Sequence, residues 1–272
     1  MRIVIDHQTT YRYANPARYA LYALHASPRD MGSQLVMEWS VAAPHGSTLR
    51  RSDDSYGNIV DMLCIDHLHS ELSFHIHGEV ETRDTNGVVS GLAEHFMPRF
   101  YLRETALTAS TPGIAALAGQ ARARANGRPM DLVHELVTSV RSAVEFIPGG
   151  NAPAGPAGAV LSSGAGGVPD LTHLFIAGAR MLGLPARYVA GYHYEGGDSG
   201  SGRCHAWAEV HVGHMGWLGI DLVSGTGPGE SHVRIASGLD YGEVAPAKGA
   251  RQGGAEATLD VRLKIEAGQT QQ

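Results

Sequence analysis

Residues 203–223, RCHAWAEVHVGHMGWLGIDLV, read as two short strands joined by a turn, and the faces of those strands decide the fold. Period-two alternation puts His205, Trp207, Glu209 and His211 on one side. Cys204, Ala206, Ala208, Val210 and Val212 fall on the other, which has the composition of a core. In the second strand Asp221 alternates against Leu218, Ile220 and Leu222, so it can face the same side as His205. Upstream, GAGGVPDLTHLF (164–175) has the glycines of a loop, a proline suited to the first helical position and an apolar run. Leu171, Leu174, Phe175, Gly178 and Leu182 mark one helix face, Gly183 a C-cap and Pro185 a stop. ARYVAGYHYE (186–195) is a further strand. Loop, helix, strand, strand with His and strand with Asp follow one another. That order serves nucleophilic catalysis when a cysteine opens the helix. The helix N-terminus stabilises a thiolate, the imidazole takes its proton, and the carboxylate fixes the imidazole tautomer.

The rest of the chain divides into two parts. Over the first ~85 residues the pattern alternates. MRIVIDHQTTYRY, SQLVMEWSVAAP, NIVDMLCID and LSFHIHGEVETR read as strands separated by turn formers such as Asn15-Pro16 and Tyr56-Gly57-Asn58. This predicts an N-terminal antiparallel, sandwich-like β domain over 1–105 and a core over 106–272, an α+β fold. In the core, 113–125 and 130–147 have helical spacing, with Asp131 at the N-terminus of the second. The Gly-, Ala- and Pro-rich stretch 148–167 is expected as a surface loop, and 256–266 as a last strand returning to one of the sheets. Residues 267–272 are expected to fray.

Composition narrows the function. The chain has 272 residues, 43% of them hydrophobic and 18% charged, with a net charge of −6, so no basic field advertises nucleic acid. No apolar stretch reads as a signal peptide or a membrane span, and Cys64 and Cys204 alone make no disulfide framework. A cytoplasmic protein is expected, with no nucleic-acid or membrane partner and its oligomeric state open.

Several of these segments resemble the bacterial transglutaminase-like proteins of the papain-like cysteine-protease superfamily. The resemblance is carried by LGLPARYVAGY, HAWAEVHV with GWLGID, and HVRIASGLDYGEVAPAKG, and in the first part by SDDSYGNIVDML and DHQTTYRY. It implies an α+β fold in which an antiparallel β domain precedes helices packed on an antiparallel sheet. For an intact member it implies acyl transfer or amide hydrolysis through a thioester. The family's nucleophile motif is Gly-Val-Cys-x-Asp; a gap-free alignment reads Gly166-Gly167-Val168-Pro169-Asp170 here, with inert Val168 in the position of the cysteine. His205 matches the family's base and Asp221 its orienting carboxylate. Leu222-Val223 replace the usual Pro-Thr, and Leu239-Asp240-Tyr241 follow Gly238 where an Arg is usual.

No other nucleophile is evident. Cys204 is expected to be a buried small hydrophobe, Ser162 and Ser163 solvated loop residues, and Thr172 and His173 capping and packing groups. Asp170 reads as charge at the helix N-terminus, with a catalytic role as the alternative. A metal site from His205, Glu209, His211 and His214 is geometrically feasible, but the family carries HAWAEV without metal, so no metal or cofactor is expected. Trp207 and Glu209 are the candidate ligand-binding side chains; Trp217 and Arg187 read as structural. The leading expectation is a binding pseudoenzyme that holds a peptide, protein or amino-acid-like ligand in the old catalytic cleft. The alternatives are an enzyme using His205 and Asp221 as a general acid/base pair, a metal-dependent enzyme, and an amide hydrolase or acyltransferase inactivated by engineering.

Overall fold

Alternation over the first eighty residues resolves into one antiparallel sheet built around an unusually long strand. The computed structural model describes residues 1–44, 47–149, 154–196, 202–255 and 257–268. Strand β1 (Arg2–Ser27) lies at the centre of a sheet that also contains β2 (Gln34–Ala42), β3 (Thr48–Asp53), β4 (Ile59–Ile65) and β5 (His69–Thr82), in the order β2-β5-β1-β4-β3. Asn15-Pro16 does not break β1 as the sequence suggested. Residues 2–12 pair with β5, residues 20–27 with β4, and the register shifts between Arg12 and Ala17. Pro16 therefore sits at an irregularity, where its missing N–H costs no ladder bond. β3 was not legible, because TLRRSD carries one apolar residue; it is held instead by pairing with β4 and by Arg51 on Asp61. The turn between β3 and β4 is as expected: Asp54 accepts from the Tyr56 and Asn58 amides, and Gly57 takes φ +80°.

The helical layer follows. Thr111 caps α1 (Pro112–Arg124) by accepting from the Ile114 amide. α2 (Pro129–Ala143) ends four residues before the sequence reading, at the short strand β6 (Glu145–Phe146). The expected loop 148–167 contains a helix, α3 (Ala157–Ser163), and a short strand, β7 (Ala165–Gly166), parallel to β6. Small residues made this stretch look irregular, but Ala157 and Val160 are buried and Gly164 closes the helix in the left-handed region. Residues 150–153 of that stretch lie outside the described residues. α4 (Val168–Met181) is central: every residue from Leu171 to Arg180 is buried. It is covered by α1, α2 and α3 and by the second sheet. At Gly178 a Cβ would stand 2.9 Å from Leu136, so the glycine sets the close approach of α2.

The second sheet runs β10-β9-β8-β11, formed by β8 (Ala186–Tyr194), β9 (Gly202–His211), β10 (Trp217–Ile220) and β11 (His232–Gly238). After the short helix α5 (Tyr241–Val244), β12 (Ala247–Gly253) and β13 (Ala257–Ala267) return to pair with β1 in the first sheet. The last strand thus returns to a sheet as expected, the N-terminal one, and β12, in a stretch without strand alternation, joins it there. One apolar cluster runs from Ile3, Ile5 and Val80 through the helices to Ala206, Ala208 and Val233. The expected frayed end, 267–272, falls mostly outside the described residues. No described helix is long and apolar enough to cross a membrane.

Candidate functional site

The two faces of the second sheet are chemically different. Tyr188 stacks on His173 of α4 (centroids 4.9 Å apart) and pairs with Ala208; Ala206, Ala208 and Val210 join the same apolar cluster as α4. Tyr188, Ala206, Ala208 and Val210 therefore face the helix. Arg187, Gly191 and His193 on β8 and His205, Trp207 and Glu209 on β9 share the other face. Gly191 lies opposite His205, and a Cβ there would fall 2.2 Å from the Val233 carbonyl oxygen and 2.8 Å from the Trp207 ring. The glycine is what lets the indole lie across the sheet.

His205 and Asp221 come together as the sequence predicts: Nε2 lies 3.2 Å from Oδ2, and the His205 side chain is fully buried. The contact is off-axis, so neither ring nitrogen of His205 has an aligned hydrogen bond. A third member was not foreseen. His232, the first residue of β11, brings its Nε2 to 3.4 Å from the same carboxylate oxygen. His193 pairs with His232 across β8 and β11, their rings 4.5 Å apart. The Val223 amide donates to Asp221 Oδ1. Burial alone would raise the carboxylic acid, but the two imidazoles and that amide more than offset it and hold Asp221 far below the usual carboxylate range. Burial, with His232 and His205 close by, pushes His193 down to about 4. HYE and SHVRI carry these two histidines in alternating segments; only strand pairing shows that they meet.

Two expected binding residues have other duties. Glu209 accepts from Arg187 Nε at 2.6 Å and Arg234 Nε at 2.8 Å, fully buried, and the two guanidiniums overcome its burial to hold it at about 2. Its carboxylate is committed, so Glu209 is a structural charge and not a free ligand group. Arg187 also stacks 4.1 Å over Trp217, in line with its structural reading. Trp207 is 2% exposed and lines, with His232, a cavity of about 20 Å³, enough for a single water. It is a wall, not an open platform. The His205, Glu209, His211 and His214 set is not assembled, because Glu209 faces the arginines and the His211 ring lies against Trp217.

At the start of α4, Val168 is the first helical residue and packs against the helix-side cluster. Asp170 Oδ2 accepts from the Gly167 amide and Oδ1 from the Gly155 amide, so it caps the helix and ties it to the preceding loop. Thr172 donates to the Val168 carbonyl, and His173 Nε2 accepts from the Tyr241 amide. Burial pushes His173 down to about 4, which keeps it a neutral acceptor. Ser162 and Ser163 donate to carbonyls of α3. Cys204 departs from expectation: it sits near the open end of β9 and keeps accessible surface. The protein packed around the rest of the side chain pushes the thiol up from its ordinary value.

Between the two sheets runs a groove of about 640 Å³, lined among others by Arg29, Asp30, Glu38, Trp39, Tyr56 and Arg234. It offers charges of both signs and two aromatic rings.

A central helix packed on an antiparallel sheet, with a His and an Asp on adjacent strands, is the architecture of the papain-like and transglutaminase-like class. Residues 3–81 match the bacterial transglutaminase-like N-terminal region and residues 116–222 the transglutaminase-like superfamily; the chain belongs to that superfamily. It is similar to an uncharacterised protein of Mycobacterium leprae, 29% identical over 97% of this chain and 98% of that one. An uncharacterised protein of Mycobacterium tuberculosis is 23% identical over 97% of this chain and 92% of its own length. The fold is also that of a candidate cysteine protease from Cytophaga hutchinsonii, with a TM-score of 0.76 at 20% identity, covering 100% of this chain and 92% of that one.

Proposed function

We propose that this chain is a transglutaminase-like protein without thiol catalysis, which holds a peptide- or amino-acid-like ligand and does not acylate it. The observation that carries this reading lies at the start of α4: the first helical residue is Val168, whose side chain offers no lone pair. Complete burial of the His205 side chain supports it, since the imidazole has no open path to a substrate. In this reading Val168 occupies the nucleophile's position, and the frame that once oriented a thiol now serves as scaffold. The groove between the sheets suits the ligand class, because a zwitterion or a peptide presents charges of both signs and apolar side chains. The retained His205–Asp221 pair at 3.2 Å favours a second reading, general acid/base chemistry of another kind.

One set of assays separates them. Amino acids and short peptides are titrated calorimetrically, and amide and amine substrates are followed for turnover. The binding reading expects saturable heats and no turnover above buffer, with or without iodoacetamide. Iodoacetamide-insensitive turnover that disappears in His205→Ala overturns it in favour of acid/base chemistry.

A further inference from the structure

Three imidazoles and one carboxylate converge from four elements of the second sheet. His193 comes from β8, His205 from β9, His232 from β11, and Asp221 follows β10 directly. The ligating atoms of His205, Asp221 and His232 all lie within 4.8 Å of one another. The His193 ring is 5.2 Å from that of His205 and 4.5 Å from that of His232. Among the described residues, His193 Nδ1 and both nitrogens of His205 are buried without an aligned hydrogen-bond partner. A buried neutral imidazole carries one N–H and one lone pair, and leaving either without a partner is costly.

We infer that His205, His232 and Asp221, with the His193 ring packed beside them, bind a divalent first-row transition metal ion of the zinc type. Two imidazoles and one carboxylate match the ligand preference of zinc, iron(II) or cobalt(II), and not the all-oxygen shells of calcium or magnesium. The Val223 amide holds Asp221 Oδ1, leaving Oδ2 for the ion. His232 Nδ1 now accepts from the Gly229 amide at 3.2 Å, with Ser231 Oγ at the same distance. Ligation through Nε2 moves the ring proton to Nδ1, where Ser231 Oγ accepts it and the Gly229 contact is given up, with no net proton change in that ring. His193 is half-buried, whereas the His232, Asp221 and His205 side chains are 8%, 4% and 0% exposed. The inference uses neither Val168 nor the groove, so it stands apart from the ligand-binding reading.

The test uses the full chain purified without a histidine tag and stripped with chelator. Cobalt(II) is titrated by visible absorption, zinc by competition with a chromogenic chelator, and the zinc-loaded wild-type protein is examined by X-ray absorption. The expected result is a single ion per chain with at least two imidazoles in its shell. His232→Ala should weaken it at least about tenfold. A control variant removes the exposed pair His75 and His77, which flank Asp6 on the first sheet and should not matter. The inference is overturned if the wild type takes up no stoichiometric ion, or if its shell contains fewer than two imidazoles. It also fails if loss of His75 and His77 abolishes binding while loss of His232 does not. The wild-type spectra decide the matter even if a variant does not fold.

Discussion

Glu209→Ala removes the one carboxylate that two buried guanidiniums share. The Glu209 side chain is 1% exposed, Arg187 4% and Arg234 9%. Taking away one partner of a buried ion pair costs about 3–5 kcal/mol, mostly because the remaining charge stays buried and unpaired. Glu94 tempers the loss at Arg187, where it contacts Nη1 at 3.2 Å, but Arg234 has no such second carboxylate among its described contacts. The expected fall is therefore about 3–5 kcal/mol, which for a chain of this size is roughly 6–20 °C in Tm. Glu209→Gln keeps an acceptor oxygen in place and should lose about half as much. Urea unfolding followed by tryptophan fluorescence, with calorimetric melting alongside, measures both. A loss under about 1 kcal/mol in Glu209→Ala, accompanied by loss of ligand binding, would refute the assignment. Glu209 would then be a ligand group, as the sequence alone suggested.

Acid should destabilise the fold in two stages. His173 is buried and neutral, held at about 4 against 6.5 when unfolded, so the unfolded chain binds more protons between those values. Its contribution is complete above about 6.5 and is lost as pH falls to about 4, on the order of 3 kcal/mol. Below the ordinary carboxylate range the loss continues as Glu209 and Asp221, both depressed in the folded state, take up protons. Urea midpoints across pH read this out, and a His173→Phe variant whose profile matches wild type between 6.5 and 4 would contradict it. Gly191→Ala should cost roughly 3 kcal/mol or more and shift the tryptophan emission, because its Cβ meets the Val233 carbonyl oxygen at 2.2 Å. Gly119→Ala in α1, where a Cβ meets nothing within 4 Å, should instead stabilise by up to about 1 kcal/mol; equal effects at the two sites would show that crowding is not the cause.

Where local periodicity and neighbour chemistry are decisive, the sequence alone was sufficient. The alternation of 203–212 assigned the two faces of β9, and the spacing of Leu171, Leu174 and Phe175 marked α4. The adjacency of the His and Asp strands placed His205 beside Asp221, because each of these features spans one or two neighbouring elements. What the sequence did not determine depends on contacts between distant segments. Pro16 lies inside β1 because two different partners share that strand, and Gly- and Ala-rich 157–163 is helical because α1 and α4 cover it. Glu209 looked free until Arg187 and Arg234, 22 and 25 positions away, were brought against it. Only the pairing of β8 with β11 sets His193 against His232, whose other face meets Asp221, since a strand's own alternation fixes which face a side chain takes but not what it meets there.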